Sequence, residues 1–403
     1  MEPPSNAPQR AFALEVVGGL RDAGHEALFA GGCVRDALLG KTPKDYDVAT
    51  SAEPGMVRDV FGKRRTIPIG AAFGVITVLG PKSVDPIEVA TFRSDTGYSD
   101  GRRPDAVRFT SAEEDAKRRD FTINGLFFDP IDERVIDYVG GRDDLKAGVV
   151  RAIGDADERI AEDRLRMLRA VRFASTLGFQ LEDETHAAVR RHAEHIRAVS
   201  AERIGAELRR MLVGAGRVEA VRLLETTGLR KQVLAEANPD AADRRLAMLE
   251  SPTAALALAA AVIDTSNAPD GASVARRLKW TAKEADTVGW CLRNTPRLAE
   301  AARGAWSALQ PLLAAEAGAE LVELYRTDPD ADPAVVRRCR ERLALPRDRL
   351  DPPPLLVGAD LIACGLQPGP RFAELLGRSR AAQLDGAVAT KDEALRLLRL
   401  TAG

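Results

Sequence analysis

The chain has 403 residues, of which 45% are hydrophobic and 29% charged, and its formal net charge is only −2. This composition is typical of a soluble globular protein with two or three domains. The longest apolar run, Ala254 to Ile263, is too short to span a bilayer. Widely spaced cysteines form no metal-ligand or disulfide pattern, which indicates a reduced, cytoplasmic protein. A nucleic-acid partner must be argued from local patches, because the global charge does not indicate one.

The first 150 residues alternate between helix-like and strand-like segments. Ala11 to Ala23 has the pattern of an amphipathic helix, and Ala27 to Ala30 that of a short buried strand. A Gly-Gly turn then leads into a predicted helix from Val34 to Leu39. Further strands are predicted at Tyr46 to Ala49, Gly74 to Leu79 and Ile87 to Phe92. Strands mixed with helices over this length predict one α/β domain, residues 1–150.

Beyond about residue 151 the composition changes. Long stretches rich in Ala, Leu, Arg and Glu have helical periodicity, are interrupted by Gly and Pro, and contain few strand-forming residues. The sequence therefore predicts a compact head followed by an elongated all-helical remainder, so the fold class is α+β.

The first motif with chemical content combines a glycine pair with two aspartates. Gly31 and Gly32 lie between a predicted strand and a predicted helix, where the backbone can approach a phosphate closely. Arg35, one turn later, adds a cation suited to a triphosphate. Asp45 and Asp47 are two residues apart, so on a strand both carboxylates would face the same side and could hold Mg²⁺. Such an arrangement is used for nucleotidyl displacement.

Two further acidic or basic segments follow in the head. Glu88 interrupts an apolar strand and is either a third carboxylate of the metal site or an edge-strand residue facing water. In the segment RRDFTIN, the adjacent arginines Arg118 and Arg119 are predicted to bind phosphate, oriented by Asp120 and Asn124.

The segment EDRLRMLRAVRF is the most informative. In one helix, Asp163 and Arg166 would be neighbours at positions i and i+3, with Arg169 and Arg172 continuing the row. A solvated salt-bridge face would explain the pattern. Alternatively, a carboxylate can accept from the exocyclic amino group of cytosine or adenine while a guanidinium donates to the ring nitrogen. Uracil and guanine would make both contacts repulsive, so this pair could admit CTP and ATP without a template.

Taken in order, these motifs resemble the class II tRNA nucleotidyltransferase and bacterial poly(A) polymerase family of the polymerase β superfamily. The similar segments are GGCVRDALLGKTPKDYDVAT, RRDFTINGL, IDYVGGRDDL, EDRLRMLRAVRFA, SAERIGAELRRML and, near the C-terminus, LVGADLIACGLQPGPRFAELL and AQLDGAVATKDEAL. The resemblance implies a polymerase β-like head, a helical neck over residues 151–215, and a helical body and tail over 216–403 that bind tRNA.

The resemblance also assigns roles. It implies that Asp45 and Asp47 hold the catalytic Mg²⁺ and that Gly32, Arg35 and Arg119 contact the triphosphate. Asp163 and Arg166 would select the base. Arg169 and Arg172 would help to hold nucleotide or RNA phosphates.

Within this family, the expected activity is addition of CCA to tRNA 3′ ends from CTP and ATP, with A-addition or poly(A) synthesis as the alternative. The segment from Arg93 to Arg108 is intact, whereas CC-adding relatives lack much of the corresponding flexible loop. Gly97 and Gly101 would allow this loop to rearrange between the second and third additions.

Overall fold

The computed structural model describes residues 7–96, 106–263 and 271–400. The chain forms two compact units, residues 1–235 and 236–403. In the described part of the chain, the strands all belong to the first unit and the second consists of helices and connecting loops. The predicted α+β fold class is therefore confirmed, with a sheet-containing head and a mostly helical remainder.

The first unit is built around a seven-stranded sheet. In chain order the strands are β1 (Ala27–Ala30), β2 (Asp47–Thr50), β3 (Thr66–Gly70), β4 (Val75–Val78), β5 (Ile87–Thr91), β6 (Arg93–Thr96), β7 (Ala106–Phe109), β8 (Phe127–Asp129), β9 (Arg134–Ile136), β10 (Val149–Val150) and β11 (Gln180–Leu181). Two small two-stranded sheets accompany the large one, formed by β6 with β7 and by β10 with β11. The order in the large sheet is β3-β4-β5-β2-β1-β8-β9. Strands β2 and β5 are parallel, whereas the other neighbouring pairs of this sheet are antiparallel.

Helices precede, connect and follow these strands. Those of the first unit are α1 (Ala7–Asp22), α2 (Gly32–Leu38), α3 (Pro54–Phe61), α4 (Ala112–Lys117), α5 (Gly141–Ala147), α6 (Ala156–Glu162), α7 (Arg166–Leu177), α8 (Asp183–His192), α9 (Ala201–Val213), α10 (Arg217–Thr226) and α11 (Arg230–Val233). Helix α7 packs against α9 and α10.

The second unit contains a further series of helices. These are α12 (Pro239–Ala247), α13 (Ala254–Val262), α14 (Gly271–Arg277), α15 (Ala282–Arg303), α16 (Trp306–Ala314), α17 (Gly318–Arg326), α18 (Pro333–Leu343), α19 (Arg347–Leu350), α20 (Gly358–Ala363), α21 (Pro370–Leu384) and α22 (Lys391–Leu397). The last three surround an apolar cluster that includes Leu361, Leu375 and Leu395. Across the described residues, we find no helix that combines the length and the apolar character needed to cross a membrane.

The head elements agree closely with the sequence patterns. Helix α1 buries Val16, Val17 and Leu20 along one stripe, as an amphipathic helix should. Strand β1 is buried along its whole length, so both of its faces are covered. Its apolar run therefore needs no alternation. The boundaries of the other predicted head elements differ from the observed ones by two residues at most, whereas α1 begins four residues earlier than predicted.

Candidate active site

The Gly-Gly turn joins β1 to α2. Gly31 has φ 70° and ψ −124°, a conformation that is open to glycine and strained for other residues. Its amide donates to the Leu126 carbonyl at 3.0 Å. A Cβ atom on Gly31 would lie 3.0 Å from Nη1 of Arg119. The absence of a side chain at Gly31 therefore allows the Arg119 guanidinium to lie against the turn.

Asp45 and Asp47 lie beside this turn at the start of β2. Strand β2 begins at Asp47, so Asp45 precedes it, but the alternation holds: both aspartates are exposed and Tyr46 between them is buried. Surrounding protein atoms reduce the hydration of the Asp47 carboxylate although it remains accessible, and this, with the nearby Glu88 carboxylate, raises the pKa of Asp47 to about 6 against the lowering effect of Arg119. Asp45 adds further negative charge. The pair is therefore a concentrated, solvent-accessible site of oxygen ligands.

Glu88 lies directly opposite Asp47 in the parallel ladder between β2 and β5. Strand β5 has β4 on its other side, so Glu88 does not lie on an edge strand, which contradicts that part of the alternative interpretation. Its side chain is exposed on the face that carries Asp47. Across residues 7–96, 106–263 and 271–400, however, no three Asp, Glu, His or Cys side chains converge as a metal site. Two carboxylates with substrate phosphates are a common ligand set for Mg²⁺, so Asp45 and Asp47 fit that ion.

Arg35 is buried beside the turn, with only 9% of its surface exposed. Its Nε and Nη2 donate to Oδ1 of Asp36 at 2.8 and 2.6 Å, and its Nη1 donates to Oδ1 of Asn124 at 2.7 Å. These contacts fix the plane of the guanidinium. Fork geometry held in this way suits phosphate oxygens.

One buried carboxylate holds both arginines of the RRD segment. Oδ1 of Asp115 accepts from Nε and Nη2 of Arg118 at 2.9 and 2.7 Å, and Oδ2 accepts from Nε and Nη2 of Arg119 at 3.1 and 3.0 Å. Burial alone would raise the pKa of Asp115, but the two guanidiniums lower it. Asp115 is three and four residues before these arginines, a helical spacing that could have indicated this role from the sequence.

The structure thus differs from the sequence prediction that Asp120 and Asn124 orient Arg118 and Arg119. Asn124 contributes its backbone carbonyl to Arg119 at 3.3 Å, whereas its side chain joins Arg35 to Asp120. Asp120 instead accepts from Nε of Arg169 at 2.7 Å. The arginines lower the pKa of Asp120 although burial opposes this. Residues from α2, the RRD segment and α7 are therefore linked by one series of hydrogen bonds.

For CTP and ATP, the nucleotides that the family resemblance implies, we expect Asp115→Asn to raise the KM about tenfold, because the neutral amide holds the two guanidiniums less strongly. Steady-state kinetics would measure the change, with circular dichroism confirming the fold. Glu113→Gln is the matched control, since Glu113 lies on the same helix but pairs with the exposed Lys117. Equal KM values for Asp115→Asn and Glu113→Gln would contradict the role of Asp115.

Asp163 and Arg166 do not belong to one continuous helix, so the predicted i, i+3 helical pair is wrong, whereas Arg166, Arg169 and Arg172 do share α7. Helix α6 ends at Glu162, Asp163 has an extended conformation, and α7 begins at Arg166. Oδ2 of Asp163 accepts from Arg203 on α9 at 2.7 Å. Nη1 of Arg166 donates to Glu162 and to the Arg159 carbonyl, and Nη2 donates to the Arg118 carbonyl at 3.2 Å. Each of the two side chains is therefore positioned by its own partners, at a break between helices.

Arg172 is positioned by α9 as well. Its Nε donates to Glu207, which is 2% exposed and also pairs with Arg210 at 3.1 Å. In the sequence, the segment SAERIGAELRRML carries only a family resemblance. Its Arg203 and Glu207 now prove to hold Asp163 and Arg172. Their signal is tertiary, because they are about 35 to 40 residues from their partners.

Comparisons with known proteins agree with this arrangement. Residues 27–151 match the "Poly A polymerase head domain" family, and residues 178–241 match "Probable RNA and SrmB- binding site of polymerase A". A CCA-adding enzyme of Levilactobacillus brevis is 36% identical over 91% of this chain and 91% of its own length. One of Latilactobacillus sakei is 45% identical over 60% of this chain, an alignment that covers 59% of that relative, less than two thirds of it.

Solved structures extend the likeness to the fold. The Bacillus stearothermophilus CCA-adding enzyme in complex with CTP has a TM-score of 0.80 and 28% identity, covering 97% of each chain. The Thermotoga maritima CCA-adding enzyme complexed with tRNA has a TM-score of 0.70 and 19% identity, covering 99% of this chain and 96% of that one, and supports the fold alone. By the near full-length sequence match and the fold together, this chain belongs to the CCA-adding enzyme family of class II tRNA nucleotidyltransferases.

Proposed function

We propose that the chain adds C and A residues to the 3′ ends of tRNA, using CTP and ATP and releasing pyrophosphate. The observation that carries this proposal is the match to a CCA-adding enzyme over 91% of both chains. The geometry supports it, because a glycine turn, fixed guanidiniums and two carboxylates meet at one place in the head. We further propose that the protein acts in the cytoplasm.

In this proposal each part of the head has one task. The Gly31–Gly32 backbone, Arg35 and Arg119 bind the triphosphate and place its α-phosphorus near the RNA 3′-hydroxyl. That oxygen gives up its proton to solvent and forms a bond to the α-phosphorus as the bond from the α-phosphorus to the leaving pyrophosphate breaks. Mg²⁺, held by Asp45 and Asp47, would stabilise charge on the attacking and leaving oxygens. Glu88, opposite Asp47 in the ladder, is the proposed third acidic residue.

Base selection is assigned to Asp163 and Arg166. In the described structure the hydrogen bonds of Arg166 use both N–H groups of Nη1 and one of Nη2, which leaves two of its five donors for a base. Asp163 accepts from Arg203 and from the Leu165 amide, and a carboxylate has further acceptor capacity. Arg169 and Arg172 would support nucleotide or RNA phosphates. The proposed head, neck, and body with tail remain residues 1–150, 151–215 and 216–403.

We expect Arg166→Ala to impair the use of CTP and ATP together, since both bases would share its donor. Asp163→Ala should relax discrimination against UTP and GTP, because the repulsive carboxylate–carbonyl contact is removed. Each contact is worth about 1–3 kcal/mol, so changes of roughly ten- to hundredfold are expected in relative kcat/KM. Single-nucleotide incorporation with each of the four triphosphates would measure them.

Arg164→Ala is the matched control for these variants, because Arg164 lies in the same interruption between α6 and α7 and is not assigned to the base. It should leave nucleotide preference unchanged. Asp163 and Arg166 variants that are less active but keep the wild-type preference would refute the base-selection role.

The experiment that tests the function supplies tRNA transcripts ending at the discriminator base, at C or at CC, with CTP, ATP and Mg²⁺. The products are sequenced. CCA addition predicts that each transcript is completed to CCA. Extension of only the transcript ending in CC would instead assign A-addition, and long A-tracts would assign poly(A) synthesis.

A further inference from the structure

The Phe173 ring on α7 lies among three guanidiniums. Phe173 is 8% exposed. The Cζ atom of Arg172 is 4.0 Å from the ring centroid, and those of Arg35 and Arg169 are each 5.2 Å from it. All three distances are within the range of a cation–π interaction. One aromatic ring is thus shared by an arginine of α2 and two arginines of α7.

Each of these guanidiniums also has a carboxylate partner. Arg35 pairs with Asp36, Arg169 with Asp120, and Arg172 with Glu207. The three carboxylates come from three different segments of the chain, namely α2, the RRD segment and α9. The ring is the contact that the three arginines have in common.

Like charges brought this close repel one another, most strongly where water is excluded. Burial and the nearby Arg169 lower the pKa of Arg172, although Glu207 opposes this. The negative face of an aromatic ring attracts cations, which an aliphatic side chain of similar size does not. Phe121 packs edge-to-face on Phe173, with ring centroids 5.8 Å apart and an interplanar angle of 74°, and so fixes the plane of that ring.

We propose that Phe173 is a positioning residue for nucleotide binding, whose ring face sets the separation and direction of the Arg35, Arg169 and Arg172 guanidiniums. This inference rests on the proposed function, because it concerns the arginines assigned there to nucleotide or RNA phosphates. Phe173 acts through these arginines and does not itself contact the nucleotide. Arg35 comes from the phosphate-binding turn and the others from α7, so the ring holds the two parts in one arrangement.

The test replaces Phe173 by phenylalanines carrying one, two and three ring fluorines, introduced by amber suppression in the full chain. Fluorine withdraws electron density from the ring face and weakens cation attraction while the shape of the side chain hardly changes. We expect the affinity for CTP and ATP, measured by calorimetry without tRNA, to fall stepwise. The fall should reach about tenfold for the trifluoro ring, equivalent to about 1.4 kcal/mol. The KM should rise in parallel and kcat should change less.

The same series at Phe121 is the matched control, since it perturbs the aromatic pair from the other ring. Equal nucleotide affinities across the Phe173 series, or an equal decline across both series, would overturn the proposal. Because binding is measured without RNA, this outcome is separate from a failure of the proposed function. That failure would appear as an unsubstituted protein that binds nucleotide but does not extend tRNA.

Discussion

Asp47→Asn is expected to reduce nucleotide transfer by roughly a thousandfold or more while tRNA binding stays within a few-fold of wild type. The substitution keeps the shape of the side chain and removes its charge. Asp47 lies beside Asp45 and opposite Glu88, at the end of β2 that adjoins the Gly31 turn. A neutral amide there would hold a divalent cation weakly, so charge on the attacking and leaving oxygens would not be stabilised.

Transfer would be measured as incorporation of labelled nucleotide into tRNA over a range of Mg²⁺ concentrations, and tRNA binding by gel shift. Asp45→Asn should behave like Asp47→Asn. Asp59→Asn, at an exposed aspartate on α3, is the control for loss of one negative charge in the head and should retain activity. Substantial transfer by Asp47→Asn at saturating Mg²⁺ would remove this carboxylate from the catalytic site.

The head was predictable where its signals are local. The apolar run of β1 and the glycine pair after it define a strand, a turn and a helix without reference to the rest of the chain. The pairing of β2 with β5 is different, because parallel neighbours are joined through a long connection. The position of Glu88 opposite Asp47 depends on that pairing, so the sequence left two interpretations of Glu88 open.

The break between α6 and α7 lacks the Gly or Pro that usually marks the end of a helix. The segment EDRLRML contains neither Gly nor Pro and favours a continuous helix. In the structure, Arg203 on α9 binds the carboxylate of Asp163 in its extended conformation, and Glu162 binds Arg166 across the break. The tertiary contact from Arg203 and the local hydrogen bond from the Leu165 amide to Asp163 therefore override helix propensity at this position. The proposed role of Phe173 also depends on a tertiary contact, because Arg35 comes from a distant segment.

The segment from Arg93 to Arg108 was predicted as a flexible loop, and its two ends are strands. Arg93–Thr96 pairs with Ala106–Phe109 in an antiparallel ladder, while the predicted hinge residues Gly97 and Gly101 lie outside the described residues. Asp95 forms ion pairs with Arg93 at 3.1 Å and Arg118 at 3.3 Å. The backbone carbonyl of Arg118 in turn accepts from Arg166. Strand β6 is therefore linked through Arg118 to Arg166, the side chain that we propose binds the incoming nucleobase.

Replacing residues 97–105 by an Asn-Gly turn is expected to leave CC addition largely intact and to stop the product before the terminal A. The two-residue turn preserves the β6–β7 ladder and Asp95, so the contacts to Arg118 remain. Adding A after CC requires the same pocket to accept a larger purine, and a rearrangement of this segment would supply the change. Its loss should therefore affect the third addition far more than the first two.

The products would be resolved at single-nucleotide length on a transcript ending at the discriminator base, with CTP and ATP both present. The rate of CC addition is the internal control, because a misfolded variant would lose all three additions together. A shortened protein that completes CCA at the wild-type rate would exclude the segment as the switch. Conversely, if the shortened protein stops at CC and still adds A to a transcript that already ends in CC, the segment governs the transition between the two nucleotides rather than the addition of A itself.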